Sequence, residues 1–227
     1  SHETHRQRFS KRAGSIGGIR MDDIIDAIVQ LEWKFFDKVQ NEGGRADCQN
    51  DWQTFSVMRR SQYQAWTGPM LKSWLSDLLR AYDEGRNPLT EKYGYMMCVS
   101  DPAGSQDTAA RLPQVPQEKK ELAHRIVARL LPLNEAYRQK YPHVAGRGRP
   151  LRTSEEAAAG WTSIETYETG ELWTYSQETL KLFDEHLAEL EKSGRSYPEM
   201  VVENGLKQRG FESIRQAEEY LAKKERG

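Results

Sequence analysis

The chain has 227 residues, of which 33 are basic and 34 acidic, so its formal net charge is −1. Aromatic residues make up 10% of the sequence, too many for a disordered acidic chain, and a folded core is expected. No run of about 18 apolar residues occurs, so the sequence predicts no membrane-spanning helix. Two cysteines, Cys48 and Cys98, exclude a disulfide framework and a four-cysteine zinc site, and we expect a cytoplasmic protein.

The first 20 residues are basic, whereas the rest of the chain is mildly acidic. Ser1 and His2 are typical of the remnant of a cleaved tag. We expect residues 1–20 to form a disordered leader, or alternatively a polycation that helps to hold an anionic partner such as RNA. Residues 21–227 are predicted to form a single helical domain that carries the catalytic or binding site.

Apolar residues recur with helical spacing almost everywhere after residue 20. The predicted fold class is mostly α, a single-domain bundle of about 7–8 helices, with the last three at about 176–193, 198–208 and 213–225. Residues 162–176 contain β-branched and aromatic side chains, so they indicate either a short β-hairpin or two broken helical turns, and the hairpin is favoured.

Polar residues lie on two helix faces that should be apolar. Glu32 falls within the inward stripe of the first predicted helix, and Arg59 and Gln62 fall on the same face as Trp66 in the second. A buried carboxylate needs a partner, so a Glu32–Arg59 ion pair between neighbouring helices is the simplest explanation. The alternative is that both side chains line a polar cavity that binds substrate.

Two further segments are rich in groups that can bind ligands or transfer protons. The loop at 40–51, which includes Glu42, is either a plain solvated connection or a place where glycines allow a ligand close approach. In the segment 162–176, a carboxylate beside a phenol suits proton transfer or the binding of a cation, although ordinary surface decoration is the alternative. The catalytic candidates of that segment are Ser163, Glu165, Tyr167 and Glu171.

Arginines form the clearest candidates for phosphate binding. Arg147, Arg149 and Arg152 lie in a glycine-rich loop, and Arg60 adds a further charge; a solvated basic loop is the alternative. The five histidines show no metal-binding spacing, and neither a phosphate-binding loop nor a dinucleotide motif occurs. We therefore predict no metal and no cofactor.

Five stretches of the sequence resemble the microbial domain-of-unknown-function family 4125, over roughly residues 21–215. They read LEWKFF, VQNEGGRADCQND, MRRSQYQAW, GRNPLTEKYGYMM and GWTSIETYETGELWTYS. The family name itself implies no activity. The chain is also similar to the fungal arginine-containing cyclodipeptide synthases, which make cyclo-arginine-Xaa dipeptides from aminoacyl-tRNA.

The second resemblance implies natural-product biosynthesis by an aminoacyltransferase whose partners are arginyl-tRNA and a second charged tRNA, without DNA or membrane. An arginyl group needs carboxylates, for which Glu32, Glu42, Glu165 and Glu171 are candidates. An aromatic second substrate suits a wall containing Trp66 or Tyr93. Two other functions stay open: a tRNA-independent enzyme of amino-acid or secondary metabolism, and a non-catalytic helical interaction module.

Overall fold

The computed structural model describes residues 15–16, 18–41 and 43–227 of the chain. Two-residue strands, β1 (Ser15–Ile16) and β2 (Ile19–Arg20), pair antiparallel ahead of the first helix. The helices are α1 (Met21–Asp37), α2 (Trp52–Tyr63), α3 (Gly68–Asp83), α4 (Pro88–Ser100), α5 (Gln106–Arg111), α6 (Gln117–Lys140), α7 (Pro142–Ala145), α8 (Glu156–Ala159), α9 (Ile164–Leu172), α10 (Gln177–Lys192), α11 (Tyr197–Gln208) and α12 (Ile214–Arg226). Short 3₁₀ turns occupy Asp47–Asn50 and Thr153–Glu155.

Side-chain caps determine where several of these helices begin. The Asp51 carboxylate accepts a hydrogen bond from the Thr54 N–H at 3.0 Å at the start of α2. Ser163 caps α9 in the same way. Each cap satisfies a backbone N–H that has no partner inside the first helical turn. The cap at Ser163 is one reason why the segment after it is helical.

The core lies where α1, α3, α6 and α10 pack together, and α9 runs along α4 and α6. Its most deeply buried aliphatic side chains come from these four helices: Ile28, Val29, Leu71, Leu78, Ile126 and Leu180. Removing these side chains from water is the main favourable term in forming the bundle. Among the described helices, none is both long and apolar enough to cross a membrane.

The mostly α prediction is confirmed, although the described residues form 12 α-helices rather than 7–8. The predicted hairpin at 162–176 is wrong, because this segment is helix α9 followed by the turn into α10. On a helix, Glu165 and Tyr167 are two residues apart and do not share a face, so they do not form the carboxylate beside a phenol that a hairpin would have given. The β-branched and aromatic residues that suggested strands are accommodated because tertiary packing overrides weak local propensity.

Gly170 allows α9 to lie close against α4. A Cβ placed on it would stand 2.4 Å from Met96 Cγ and 3.0 Å from the backbone oxygen of Lys92. Any larger residue must therefore displace the Met96 side chain and move α9 slightly away from the α4 backbone, which carries Lys92 of the site.

We expect Gly170→Ala to lower the free energy of unfolding by about 1–3 kcal/mol, because overpacking outweighs the better helix propensity of alanine. Urea denaturation measures the change. Gly43→Ala is the control, because no atom lies within 4 Å of a Cβ at Gly43. Equal stability of Gly170→Ala and the unsubstituted chain would show that the α4–α9 contact is looser than described.

Candidate active site

An ion-paired cluster lies buried at the junction of α1, α2 and α9. Arg59 Nη2 lies 2.9 Å from Glu32 Oε2 and 2.6 Å from Glu171 Oε1, while Arg59 Nε lies 3.2 Å from Glu32 Oε1. Glu32 is 1% exposed, Glu171 3% and Arg59 9%. The predicted Glu32–Arg59 pair is confirmed. Glu171, which sequence analysis treated separately as a catalytic candidate, is a second partner of the same guanidinium.

Two neutral side chains complete the hydrogen bonding of this cluster. The Tyr63 hydroxyl donates to Glu32 Oε2 at 2.7 Å and accepts from Arg59 Nη2 at 2.6 Å. Trp74 Nε1 donates to the Tyr63 hydroxyl at 3.1 Å. Burial raises the pKa of Tyr63 well above its ordinary value, so the phenol stays protonated and can donate. Tyr63 and Trp74 were not among the site residues predicted from the sequence.

Lys92 brings a second positive charge to the cluster from α4. Its side chain is almost fully buried, and Nζ lies 4.0 Å from Glu171 Oε1 and 3.7 Å from the centre of the Tyr167 ring. Arg149 lies against the same ring, with its Cζ 5.2 Å from the ring centre. Both cations therefore lie within cation–π distance of the Tyr167 ring, which stabilises their positive charge.

The pKa shifts of Arg59, Lys92 and Glu171 each favour the charged form of the group. Burial opposes the charge of Arg59, but Glu171 and Glu32 outweigh burial and raise the pKa of Arg59 well above its ordinary value. Burial likewise favours the neutral form of Glu171, but Arg59 and Lys92 lower the pKa of this carboxyl overall. Two cations and two anions thus balance one another in the buried cluster, a condition that makes buried charge tolerable.

Glu168 is a third carboxylate near the cluster, and it is not one of the two carboxylates that the two cations balance. It lies three residues before Glu171 and thus on the same face of α9, and among the described residues no side chain or backbone group hydrogen bonds to it. Burial, followed by the negative charge of Glu171, raises the pKa of Glu168 to about 7, although Lys92 and Arg59 oppose the shift. Glu168 can therefore both accept and release a proton near neutral pH.

Glu168 faces a cavity of about 140 Å³ between α9, α10, α11 and α6. The cavity exceeds the roughly 10–15 Å³ that a single water molecule requires, so it can hold water or part of a ligand. Glu168 is the one charged residue among those that line it, and the others that bear on its chemistry are Gln62, Asn134, Tyr175, Phe183 and Tyr197. An acid facing aromatic walls is suited to a cationic or amine-bearing group.

None of the four predicted catalytic residues, Ser163, Glu165, Tyr167 and Glu171, lines this cavity. The Glu165 carboxylate accepts from the Thr153 N–H at 2.9 Å, and Ser163 caps the helix. Both therefore stabilise the local backbone. Sequence analysis missed Glu168, and the one sequence signal for it was its spacing from Glu171, which is meaningful only on a helix.

The predicted substrate-binding residues are brought together in part. Gln62 lines the cavity, and Trp66 Nε1 donates to the hydroxyl of the cavity residue Tyr197 at 2.8 Å. Tyr93 lies on the other side of Lys92, 37% exposed, with the ammonium 6.0 Å from its ring. Glu42 lies outside the described residues.

The predicted RNA-binding arginines occupy two places. Arg147 and Arg152 are exposed in the loop that follows α7, and Arg149 of this loop also lies 5.8 Å from the ring of Trp161, which is 46% exposed. Arg60 lies on α2 and is paired with Asp26. The loop thus combines exposed cations with an exposed aromatic ring, whereas Arg60 is separate from it.

In the part of the chain that the structure describes, no three His, Cys, Asp or Glu side chains converge in a way that could hold a metal ion. The cluster described above instead joins carboxylates to arginine, lysine and tyrosine.

Fold and site together define a helical protein in which a charge-balanced buried cluster supports one titratable carboxylate in a small cavity. The chain belongs to the family described as protein of unknown function (DUF4125), whose model matches residues 22–219. The match includes α1, α2 and α9, the helices that supply the cluster. No curated protein and no solved structure matches the chain.

Proposed function

We propose that this protein forms peptide bonds by aminolysis of aminoacyl-tRNA and that its product is a cyclo-arginine-Xaa dipeptide. The observation that carries the proposal is Glu168, an unpaired carboxylate with a pKa of about 7 that faces a cavity beside a fixed array of charges. Aminolysis requires a base that removes a proton from the attacking amine near neutral pH. Glu168 has the pKa that this task demands.

The reaction balances without an oxidant or reductant. The amine nitrogen of one aminoacyl group attacks the ester carbonyl carbon of the other, a C–N bond forms, and the C–O bond to the tRNA ribose breaks. Glu168 accepts the proton of the amine and returns it to the departing ribose oxygen. A second aminolysis, by the free amine of the dipeptidyl ester, closes the ring through the same changes and needs no metal or redox cofactor.

The cavity lining supports arginine as one of the two amino acids. Guanidinium groups stack on aromatic faces and hydrogen bond to amide oxygens, and Tyr175, Tyr197 and Asn134 offer these surfaces beside Glu168. Glu32 and Glu171, by contrast, are already occupied by Arg59, so they support the site and are not free to bind a substrate guanidinium.

The loop that follows α7 supports RNA as the carrier of the activated amino acids. Cations bind phosphates, and an exposed aromatic ring can stack on an unpaired base such as those at the end of a tRNA. Arg147, Arg149 and Arg152, together with Trp161, supply both kinds of group on a chain whose net charge is close to zero.

Product analysis in cells that express the chain tests the proposal. Mass spectrometry of the unsubstituted chain should detect a cyclic dipeptide containing arginine, and Glu168→Gln should abolish it because the amide cannot accept the proton. Glu178→Gln, an exposed position in the first turn of α10, is the matched control and should leave the product in place. A product that survives Glu168→Gln but vanishes in Glu165→Gln would assign the base to Glu165.

If no dipeptide forms in cells that hold the folded protein, the proposal fails. A tRNA-independent enzyme or a binding module would then account for the cavity. A tRNA-independent enzyme would make another metabolite that is missing from cells expressing Glu168→Gln, whereas a binding module would make no difference between the two samples.

The combined change Arg147→Ala and Arg152→Ala should raise the KM for aminoacyl-tRNA severalfold and leave kcat unchanged. Both residues are exposed, so their loss removes phosphate contacts without disturbing the core. The slope of log KM against log salt should fall by about 1 for each lost phosphate contact. Lys34→Ala with Lys38→Ala makes the same change of charge at exposed positions on and just after α1 and is the control. An unchanged KM would show that RNA does not bind at this loop.

A further inference from the structure

A second cleft lies on the other side of the α9–α10 junction, between α3, α4 and the first turn of α6. Its volume is about 340 Å³, and it shares no lining residue with the Glu168 cavity. Trp74 lines this cleft, and its Nε1 donates to the Tyr63 hydroxyl of the buried cluster, so one side chain contacts both the cleft and the cluster. Its carboxylates are hydrogen bonded, whereas two of its hydrogen-bond donors have no acceptor in the described part of the chain.

The carboxylates of the cleft are engaged. Arg86 Nη1 donates to both oxygens of Glu91, at 2.9 and 3.1 Å, and Arg86 Nε donates to Glu84 at 2.7 Å. Asp77 Oδ2 accepts from the Ser176 N–H at 2.9 Å and from the Thr179 hydroxyl at 2.7 Å. A ligand that enters the cleft therefore meets acids whose hydrogen-bonding capacity is largely used.

Two donors of the cleft are not engaged. Within residues 18–41 and 43–227, the ammonium of Lys119 makes no hydrogen bond or ion pair, and the Trp173 indole N–H is buried without an acceptor. A buried donor without an acceptor destabilises the folded state. Burial lowers the pKa of Lys119, although Asp77 and Glu91 act at longer range to raise it. Both donors belong to residues that line the cleft, and each would gain from an acceptor oxygen.

We propose that this cleft binds the carboxylate of a small organic monoanion, with Lys119 and the Trp173 N–H as its donors. Arg80 lies 3.9 Å from Asp77 and Arg86 pairs with Glu84 and Glu91, so Lys119 is the cation among the described lining residues that has no direct ion pair. One ammonium without a direct partner matches a single negative charge, whereas the three acids in the walls disfavour a phosphate dianion. The indole, the Trp74 ring and Pro88 give the rest of the ligand an apolar surface. This site does not depend on the function proposed for Glu168.

The test follows the indole N–H signal of Trp173 in the ¹⁵N NMR spectrum, assigned among the six tryptophans with Trp173→Phe. Sodium benzoate, sodium acetate and sodium phosphate are titrated at constant ionic strength. We expect a saturable shift of this one signal with benzoate and acetate, and none with phosphate.

Lys119→Met should weaken benzoate binding at least about tenfold, as expected when a hydrogen bond to a charged group is lost. Lys72→Met, which removes a charge from an exposed position of α3 that does not line the cleft, should leave the benzoate affinity within about twofold. Equal shifts with phosphate, or unchanged benzoate binding in Lys119→Met, would overturn the proposal.

Discussion

Arg59→Met is expected to lower the free energy of unfolding by about 3–5 kcal/mol, because it leaves two carboxylates buried without their main partner. Arg59 bonds Glu32 through two nitrogens and also bonds Glu171, and both carboxylates are buried. The neighbouring Arg60 is the matched control. Its partner Asp26 is half-exposed, so Arg60→Met should cost no more than about 1 kcal/mol.

Adding Glu32→Gln to Arg59→Met shows whether the lost free energy of unfolding comes from the unpaired charge or from lost packing. In the double variant Arg59→Met, Glu32→Gln, the buried carboxylate becomes a neutral amide, and part of the lost stability should return. Urea denaturation of the four proteins in this cycle measures the coupling between the two residues. A loss below about 1 kcal/mol in Arg59→Met, or no recovery in the double variant, would show that the pair is solvated.

Glu168→Gln is expected to lower kcat/KM for peptide-bond formation by about 10²–10⁴-fold, the usual contribution of a positioned general base. In the unsubstituted chain, kcat/KM should rise with pH and level off above a midpoint near 7, because the carboxylate is active in its ionised form and its pKa is about 7. Glu168→Gln should lack this rise. A rise with the same midpoint in the variant would assign the titration to another group.

The same pKa predicts a stability change of opposite sign to the activity change. Burial makes folded Glu168 bind its proton more tightly than the unfolded chain, so the unsubstituted protein loses stability as pH rises from about 4.5 to about 7. The amide has no proton to lose. Glu168→Gln should therefore exceed the unsubstituted chain in free energy of unfolding by up to about 3 kcal/mol at pH 8. If Glu168→Gln is inactive but more stable than the unsubstituted chain, its loss of activity cannot be caused by unfolding.

The sequence alone predicts much of the helical framework. The last three helices lie within about one residue of their expected ends, at Gln177–Lys192, Tyr197–Gln208 and Ile214–Arg226. Their apolar stripes are regular and polar caps mark where they begin, so local information is sufficient. The Glu32–Arg59 pair was also predictable, because a charge on each of two neighbouring apolar faces must find a partner.

The segment 162–176 could not be predicted in this way. Its apolar stripe is weak, since α9 buries Thr166, Gly170 and Glu171 as well as Leu172. What makes the segment helical is the Ser163 cap and the tight contact of Gly170 with α4, and the second of these is a tertiary contact. The hairpin prediction failed for this reason. Because the segment was predicted to form strands, the helix face that Glu168 shares with Glu171 could not be recognised.

Lys92 and Glu168 could not be assigned roles from the sequence because both roles depend on tertiary packing and on contacts with residues distant along the chain. Lys92 is buried beside Glu171 only because α4 packs on α9. The pKa of Glu168 depends on its burial and on Glu171, Lys92 and Arg59 together. A pattern within one helix contains none of this information.

Transfer of labelled arginine from tRNA tests the central claim most directly. Purified protein is incubated with [¹⁴C]arginyl-tRNA and a mixture of other charged tRNAs, and the products are separated and treated with aminopeptidase. If the protein makes a cyclic dipeptide, label moves into a small molecule that resists aminopeptidase, as a ring without a free α-amine must. Glu168→Gln or prior ribonuclease treatment should prevent this transfer. Label that stays on tRNA, or that leaves only as free arginine, in a sample of folded protein would rule out peptide-bond formation from arginyl-tRNA.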